Sequence, residues 1–175
     1  MTAYVALLRG VNLGNVRVAM ADLREIGVTA GFTAVSTHLN SGNLLFTSSA
    51  GSAAEHAATI SAGIKAAIGR PIPVVIRTPG QLQKALDAAR AQFPKADETR
   101  VAIAFLDQSA GPGPADRLGS FDDEEYLVKG AEVLLHYPTG QARSKLIAPV
   151  MEKKLGVVAT VRGLKTVAGL IAKSG

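Results

Sequence analysis

Apolar residues along this chain follow two patterns, short continuous runs and stretches with an apolar residue at every third or fourth position. The run at residues 4–9 is typical of a buried strand. Residues 55–68, where Ile60, Ile64 and Ile68 recur every fourth position, are typical of an amphipathic helix. The order of these patterns predicts strands and helices in alternation.

The first half of the chain is predicted to have the order β-α-β-β-α-β. Its elements are expected at residues 4–9, 19–26, 33–39, 44–47, 55–68 and 72–77. Gly27 is expected to end the first helix, because glycine is common just past a helix end. The stretch Asn40-Ser41-Gly42-Asn43 predicts a turn between two strands, because Asn and Gly tolerate a positive φ.

The second half is predicted to repeat this order after a connecting helix at residues 81–91. Its elements are expected at residues 101–106, 115–119, 125–129, 133–137, 146–155, 157–161 and 164–172. Leu44 lies 90 positions before Leu134, within similar apolar strands. Side-chain identity between the halves is poor, so the pattern predicts a structural repeat.

The predicted fold class is α+β, with duplicated ferredoxin-like halves whose antiparallel sheets carry helices on one face. The first half is expected at residues 1–78, a connecting helix and loop at 79–99, and the second half with its C-terminal helix at 100–175. In this plan the turn at Asn40 is expected at the sheet end opposite Arg9, approaching Arg77 instead. Arg9 and Asn40 are therefore not expected to share a site.

Composition narrows the class of protein. The chain has 175 residues, enough for one domain or two small halves. It has no cysteine, which excludes disulfides, thiolate metal sites and cysteine nucleophiles. The longest apolar runs are far shorter than the roughly 20 residues of a membrane-spanning helix. We expect a cytoplasmic protein without a membrane partner.

Charge is unevenly distributed along the chain. The net charge is +5, but residues 136–175 alone hold seven basic side chains and one acidic side chain. Residues 92–135 are acidic, with nine acidic against four basic side chains. The basic tail either attracts an anionic partner or forms a solvated helix face.

The first candidate site is the glycine-containing loop after the first strand, with Arg9, Asn12, Gly14 and Arg17. Backbone N–H groups at a helix N-terminus bind phosphate. The loop is neither a Walker loop nor a dinucleotide fingerprint, because the required spacings are absent. The alternatives are an ordinary strand-to-helix connection and, for Arg9, a structural ion pair.

The second candidate site lies in the basic tail, at Lys145, Thr160 and Arg162. Thr160 and Arg162 are two residues apart on a predicted strand, so they project from the same face, just before a helix. The alternative is a polar helix cap with a solvated arginine.

Signatures of catalysis are missing. His38, His56 and His136 lack metal-ligand spacing and are expected at the surface or in turns. No G-x-S-x-G motif occurs, and the carboxylate run at residues 122–125 is expected to be a solvated loop. We expect no cofactor and no metal, and the aromatic pattern of RNA-recognition motifs is also absent.

Several motifs, taken in order, are similar to those of one protein family. They are Leu7-Leu8-Arg9-Gly10-Val11-Asn12, Asn40-Ser41-Gly42-Asn43-Leu44-Leu45-Phe46, His136-Tyr137-Pro138, Ser144-Lys145-Leu146, Thr160-Val161-Arg162 and Thr166-Val167. The chain resembles the bacterial domain-of-unknown-function family number 1697 over nearly its whole length. The resemblance implies a two-part α+β protein with duplicated ferredoxin-like halves and no established activity.

The chain departs from the family pattern at two places. The family's Gly-Gly-Lys-type loop is replaced by the shorter Leu13-Gly14-Asn15-Val16-Arg17, in which Arg17 is the candidate for the missing charge. The family's Asn-Trp after the last arginine is replaced by Gly163-Leu164. If Asn-Trp belongs to a ligand site, that site is altered here.

Three hypotheses of function follow. The first is a binding module for an anionic ligand, a nucleotide, a phosphorylated metabolite or a nucleic acid, in a basic cleft between the halves. The second is an enzyme of unrecognised chemistry that uses the same residues. The third is a structural or partner-binding module whose polar motifs only hold turns.

Overall fold

A computed structural model describes residues 1–12 and 14–175 of the chain. Leu13, which belongs to the predicted glycine-containing loop, lies outside the described residues. Within that part of the chain, the fold is α+β, with two four-stranded antiparallel sheets and six α-helices.

The secondary-structure elements follow the predicted order. The strands are β1 (Thr2–Leu8), β2 (Thr33–Thr37), β3 (Asn43–Ser48), β4 (Val74–Arg77), β5 (Val101–Leu106), β6 (Glu125–Lys129), β7 (Glu132–His136) and β8 (Ala159–Gly163). The helices are α1 (Met20–Thr29), α2 (Ala53–Ile68), α3 (Pro79–Gln92), α4 (Pro114–Leu118), α5 (Ala148–Leu155) and α6 (Leu164–Ser174). Short 3-10 turns occur at Glu98–Arg100 and Gln141–Arg143.

The chain divides into two compact units. The first comprises Met1–Gln81 together with Gly169–Gly175, and the second comprises Leu82–Ala168. Helix α6 therefore begins in the second unit and ends in the first. The boundaries expected from the sequence, at residues 78 and 100, stay a prediction.

Each unit contains one sheet, and the two sheets have corresponding strand orders. The first sheet has the order β2-β3-β1-β4, and the second has the order β6-β7-β5-β8. Strand β1 pairs antiparallel with both β3 and β4, as β5 does with both β7 and β8. The first strand of each unit is thus an interior strand.

The core of the first unit lies between one face of its sheet and helices α1 and α2. Alternate residues of β1 and β3, such as Leu8 and Phe46, join Leu23 of α1 and Ile60 of α2 in one buried cluster. Helix α2 begins at a capping box in which Ser52 and Glu55 bond each other's backbone N–H groups. Phe46 is almost fully buried there, with only 2% of it exposed.

The core of the second unit is built from the same face of its sheet. Ala104 and Leu106 of β5 pack with Leu135 of β7 and with Met151 and Leu155 of α5. The opposite face of each sheet is buried as well, as Val5 of β1 and Ile103 of β5 show. Both sheets are therefore covered on two sides, which explains why their interior strands read as continuous apolar runs.

Two details of the sequence prediction are wrong. Gly27 does not end α1 but lies inside it, where a Cβ would come within 3.0 Å of the Val35 side chain, so glycine lets the helix approach β2. The repeat offset is also wrong by one residue, because Leu44 and Val133 share the helix-facing clusters while Leu134 faces the other way. A shift of one residue reverses the faces of a strand.

His56 is buried, contrary to the expectation of a surface histidine. Its ring makes edge contacts with Tyr4, Phe32 and Phe46, at centroid distances of 4.9, 5.1 and 5.4 Å. Its Nε2 atom is buried without a hydrogen-bond partner among the described residues. Desolvation lowers the pKa of His56, against a weaker opposing effect of the Glu55 carboxylate.

We expect the buried imidazole to make the fold sensitive to acid. Because the folded state lowers the pKa of His56, the unfolded chain binds the proton more readily below its ordinary pKa of about 6.5. The free energy of unfolding should therefore fall as the pH drops from about 7 to 5, and His56→Leu should remove part of this slope. Urea unfolding at several pH values measures it. His136→Gln is the control, and equal slopes in wild type and His56→Leu would contradict the assignment.

Candidate functional site

Two loops of the first unit meet at one end of its sheet. The backbone N–H of Leu8 donates to the carbonyl of Gly42 at 2.9 Å. A Cβ at Gly42 would lie 2.4 Å from Val11, so only glycine lets the two loops approach so closely. The expectation that Arg9 and the Asn40 turn lie at opposite sheet ends is wrong. Since β1 and β3 run antiparallel, the end of one meets the start of the other.

We call these two segments, residues 9–18 and 38–43, the loop cluster. Asn12 holds them together through its side-chain amide. Its Nδ2 donates to the carbonyls of Asn40 and Val18, and its Oδ1 accepts from the Val18 N–H at 3.0 Å. The predicted ligand residue Asn12 therefore connects the loops, with its amide engaged on internal partners.

Five residues of the loop cluster have backbone φ angles in the left-handed region. Gly10, Asn12, Gly14, Leu39 and Gly42 all have φ between 56° and 75°. Leucine rarely adopts this conformation, yet Leu39 does so while 56% of it is exposed to solvent. Strained residues of this kind are often kept where they serve function.

The two predicted arginines of the first unit belong to the loop cluster. Arg9 follows the last residue of β1, is half-buried and donates its backbone N–H to the Pro73 carbonyl at 3.0 Å. Arg17 is exposed. The segments contain no acidic residue, and their other basic group is His38. The loop cluster is thus rich in arginine and amide groups and free of carboxylates of its own.

Thr160 and Arg162 share a face of β8 in the second unit, as predicted. The Arg162 Nη1 donates to the Thr160 hydroxyl at 2.7 Å and to the Val161 carbonyl at 3.0 Å. Only 8% of Arg162 is exposed, so the alternative of a solvated arginine is wrong. Desolvation lowers the pKa of Arg162 to about 10, and its guanidinium stays charged at neutral pH.

Arg77 occupies the position in the first sheet that Arg162 occupies in the second. Arg77 pairs with Val5 on β1, and Arg162 pairs with Ile103 on β5. Both are 8% exposed, and in both the Nη1 donates to the carbonyl of the preceding residue. Arg77 is not among the site residues predicted from the sequence. An arginine at the end of the predicted strand 72–77, or directly after the predicted strand 157–161, is the signal that could have found it.

Gly163, which replaces the asparagine of the family pattern, lies at the start of a helix. It is the last residue of β8 and directly precedes α6, which is the N-cap position. Asparagine is among the best N-cap residues, whereas glycine has no side chain to cap the first turn. A groove of about 520 Å³ lies beside this helix start and is lined in part by Arg90, Lys165 and Thr166.

Lys145 lies in a different part of the second unit. It is exposed and lines a cleft of about 480 Å³ together with the carboxylate run at residues 122–124. Neither Thr160 nor Arg162 lines this cleft. The described contacts therefore do not join Lys145 to the other two predicted residues of the tail.

Two features are absent from residues 1–12 and 14–175. No group of three or more histidine and carboxylate side chains is placed to hold a metal ion. No α-helix in the same residues is long and apolar enough to cross a membrane.

The fold and these sites define an α+β protein with two antiparallel sheets and polar loops at a sheet end. A family model described as a protein of unknown function (DUF1697) matches residues 1–134, and the chain belongs to this family. Among solved structures, the conserved bacterial protein SP0830 from Streptococcus pneumoniae is similar in fold, with a TM-score of 0.74. The two are 21% identical over 99% of each chain. No curated protein matches the sequence.

We expect Asn12 to stabilise the loop cluster measurably. Asn12→Ala removes three hydrogen bonds and keeps a Cβ in the left-handed region, which alanine tolerates less well than asparagine, whereas Asn12→Gly removes the same bonds and the Cβ as well. Both variants should lower the free energy of unfolding, by about 1–3 kcal/mol from the lost bonds. The alanine variant should lose about 1 kcal/mol more. Denaturant titration distinguishes them, and equal losses would argue against the left-handed conformation.

We expect Gly163→Asn to stabilise the fold by restoring a helix cap. A Cβ at Gly163 meets no atom within 4 Å, and its φ lies outside the left-handed region, so side chains fit there. The asparagine variant should unfold about 1 kcal/mol less readily than Gly163→Ala, which lacks the capping oxygen. Thermal or urea unfolding measures the difference. Identical stabilities for the two variants would exclude a capping role.

Proposed function

We propose that this protein binds an anionic ligand, and that the loop cluster of the first unit is its main binding site. The observation that carries the proposal is the composition of the loop cluster: Arg9, Arg17 and four asparagines with no acidic residue. Guanidinium groups bind phosphate and carboxylate in bidentate fashion, which makes arginine suited to such ligands.

The backbone of the loop cluster supports the same proposal. Glycines at Gly10 and Gly14 allow a ligand to approach the main chain closely, because no Cβ stands in the way and nothing else lies within 4 Å of a Cβ there. Asn12 fixes the shape of the loops, so that their N–H groups are held in place before a ligand arrives. Preorganisation of this kind reduces the entropy lost on binding.

Thr160 and Arg162 form the second part of the proposal. Thr160 orients the guanidinium of Arg162, and burial strengthens the attraction between that charge and an anion. The basic tail at residues 136–175 raises the local concentration of anions. Lys145 shares this charge but lies with carboxylates in its own cleft. That these residues converge with the loop cluster in one cleft stays a prediction.

Phosphate is the group shared by the ligands that fit this chemistry, namely a nucleotide, a phosphorylated metabolite or a nucleic acid. A structural role is the competing function, because the Asn12 amide bonds only internal groups. The bacterial origin and cytoplasmic location expected from the sequence also stay predictions.

We further propose that the two units are repeats of one ferredoxin-like plan. The support is their shared β-α-β-β-α-β order, their corresponding strand orders, and the matching positions of Arg77 and Arg162. A repeated plan explains why Arg77 and Arg162 occupy corresponding positions although the sequences of the two halves are poorly similar.

A thermal-shift titration tests the binding proposal. ATP, a sugar phosphate and a short RNA should each be compared with buffer at matched ionic strength. A phosphorylated ligand at 100 times its Kd should add about 2.7 kcal/mol of stability. A steep decrease of affinity with salt would identify nucleic acid as the ligand, because binding then releases counterions.

Arg17→Met should weaken the response, because it removes an exposed guanidinium from the loop cluster without disturbing the core. Lys65→Met is the matched control, since it removes one exposed positive charge from the last turn of α2 in the same unit. The proposal fails if wild type responds to none of the three compounds. It also fails if the two variants respond alike.

A further inference from the structure

The cleft that contains Lys145 is lined by charged side chains of both signs. Three carboxylates and three cationic groups belong to its lining. They are Asp122, Asp123, Glu124, Arg143, Lys145 and Lys154. Its volume of about 480 Å³ is within the range of small-molecule sites.

These opposite charges do not pair with each other. Among the described residues, which comprise all six, none forms an ion pair within 4.0 Å with another member of the group. Because oppositely charged groups of the cleft are more than 4.0 Å apart, there is room between them for a molecule that carries both charges.

Several of these groups are held by the surrounding structure. The Lys154 Nζ donates to the Leu118 carbonyl at 2.8 Å and lies 5.4 Å from the centre of the Phe121 ring. Interaction with the Ser144 side chain lowers the pKa of Glu124. Lys154 is thus fixed in place before any ligand enters.

The loop that supplies Arg143 and Lys145 is anchored at both ends. The buried Tyr137 hydroxyl donates to the Leu146 carbonyl at 2.9 Å and so closes the loop at residues 138–145. Leu146 is fully buried, and its N–H donates to the Ser144 hydroxyl. The two ends of this loop are the motifs His136-Tyr137-Pro138 and Ser144-Lys145-Leu146. The loop places Arg143 and Lys145 in the same cleft as the carboxylates.

We propose that this cleft binds a small zwitterion, either a free α-amino acid or a short peptide. The carboxylate of the ligand bonds Lys145 and Arg143, and its ammonium group bonds Asp123 and Glu124. Phe121 and Val150 supply the apolar part of the lining. This site is separate from the anion site proposed above, and it uses both charges of its ligand.

Isothermal titration calorimetry on the full chain tests the proposal with alanine and trialanine. N-acetylated and C-amidated forms of each compound remove one charge at a time. The free compounds should bind, and each blocked form should bind at least about tenfold more weakly, as expected for a lost charge-assisted hydrogen bond. Tighter binding of trialanine identifies a peptide as the ligand, and tighter binding of alanine identifies an amino acid.

Lys145→Met and Asp123→Asn, both at exposed positions, should each weaken binding by about tenfold or more. Lys129→Met and Asp116→Asn, elsewhere in the second unit, are the controls and should bind as wild type. Arg17→Met should also leave this binding unchanged, which separates the test from that of the anion site. The proposal is overturned if neither free compound binds, if blocked forms bind equally well, or if cleft variants match the controls.

Discussion

Antiparallel pairing of β1 with both of its neighbours determines where the chemistry of the first unit can lie. Because β3 and β4 both run opposite to β1, three chain segments arrive at one sheet end. They are the loop after β1, the turn before β3 and the segment before β4, which accepts a hydrogen bond from the Arg9 N–H. The loop cluster is therefore a direct result of strand direction, and Asn12 and Gly42 set how closely its parts approach.

The two sheets place an arginine at the same register position while differing at most of the surrounding positions. A buried guanidinium is costly to desolvate, so it persists only where its hydrogen bonds are met. Arg77 and Arg162 both meet part of this requirement with the preceding carbonyl, which the extended strand brings within reach. The matching register and hydrogen bonds show that the two sheets hold this arginine in the same way, although the sequences around it differ.

The sequence was sufficient to predict the order of elements, because apolar periodicity depends only on local geometry. It predicted β5 and β6 with their observed bounds. It was less informative where tertiary contacts decide. Glycine is common just past a helix end, but Gly27 lies inside α1 because the helix approaches β2 there. Histidine has a polar side chain, but aromatic rings enclose the side chain of His56. A single sequence does not encode these neighbours in any short segment.

The membership of Gly169–Gly175 in the first unit has a consequence for how the protein is made. The Lys173 Nζ donates to the Thr37 carbonyl across 136 positions of sequence, and Gly169 leaves space for the His38 ring at 2.6 Å from its would-be Cβ. A ribosome makes about 5–20 residues per second, so the first sheet exists for several seconds before these residues emerge. During synthesis, β2 therefore forms before the last helix of the chain, which supplies Lys173 as the partner of Thr37, has been made. Contacts between residues so far apart form late, and folding of the first unit is completed only when the second has been translated.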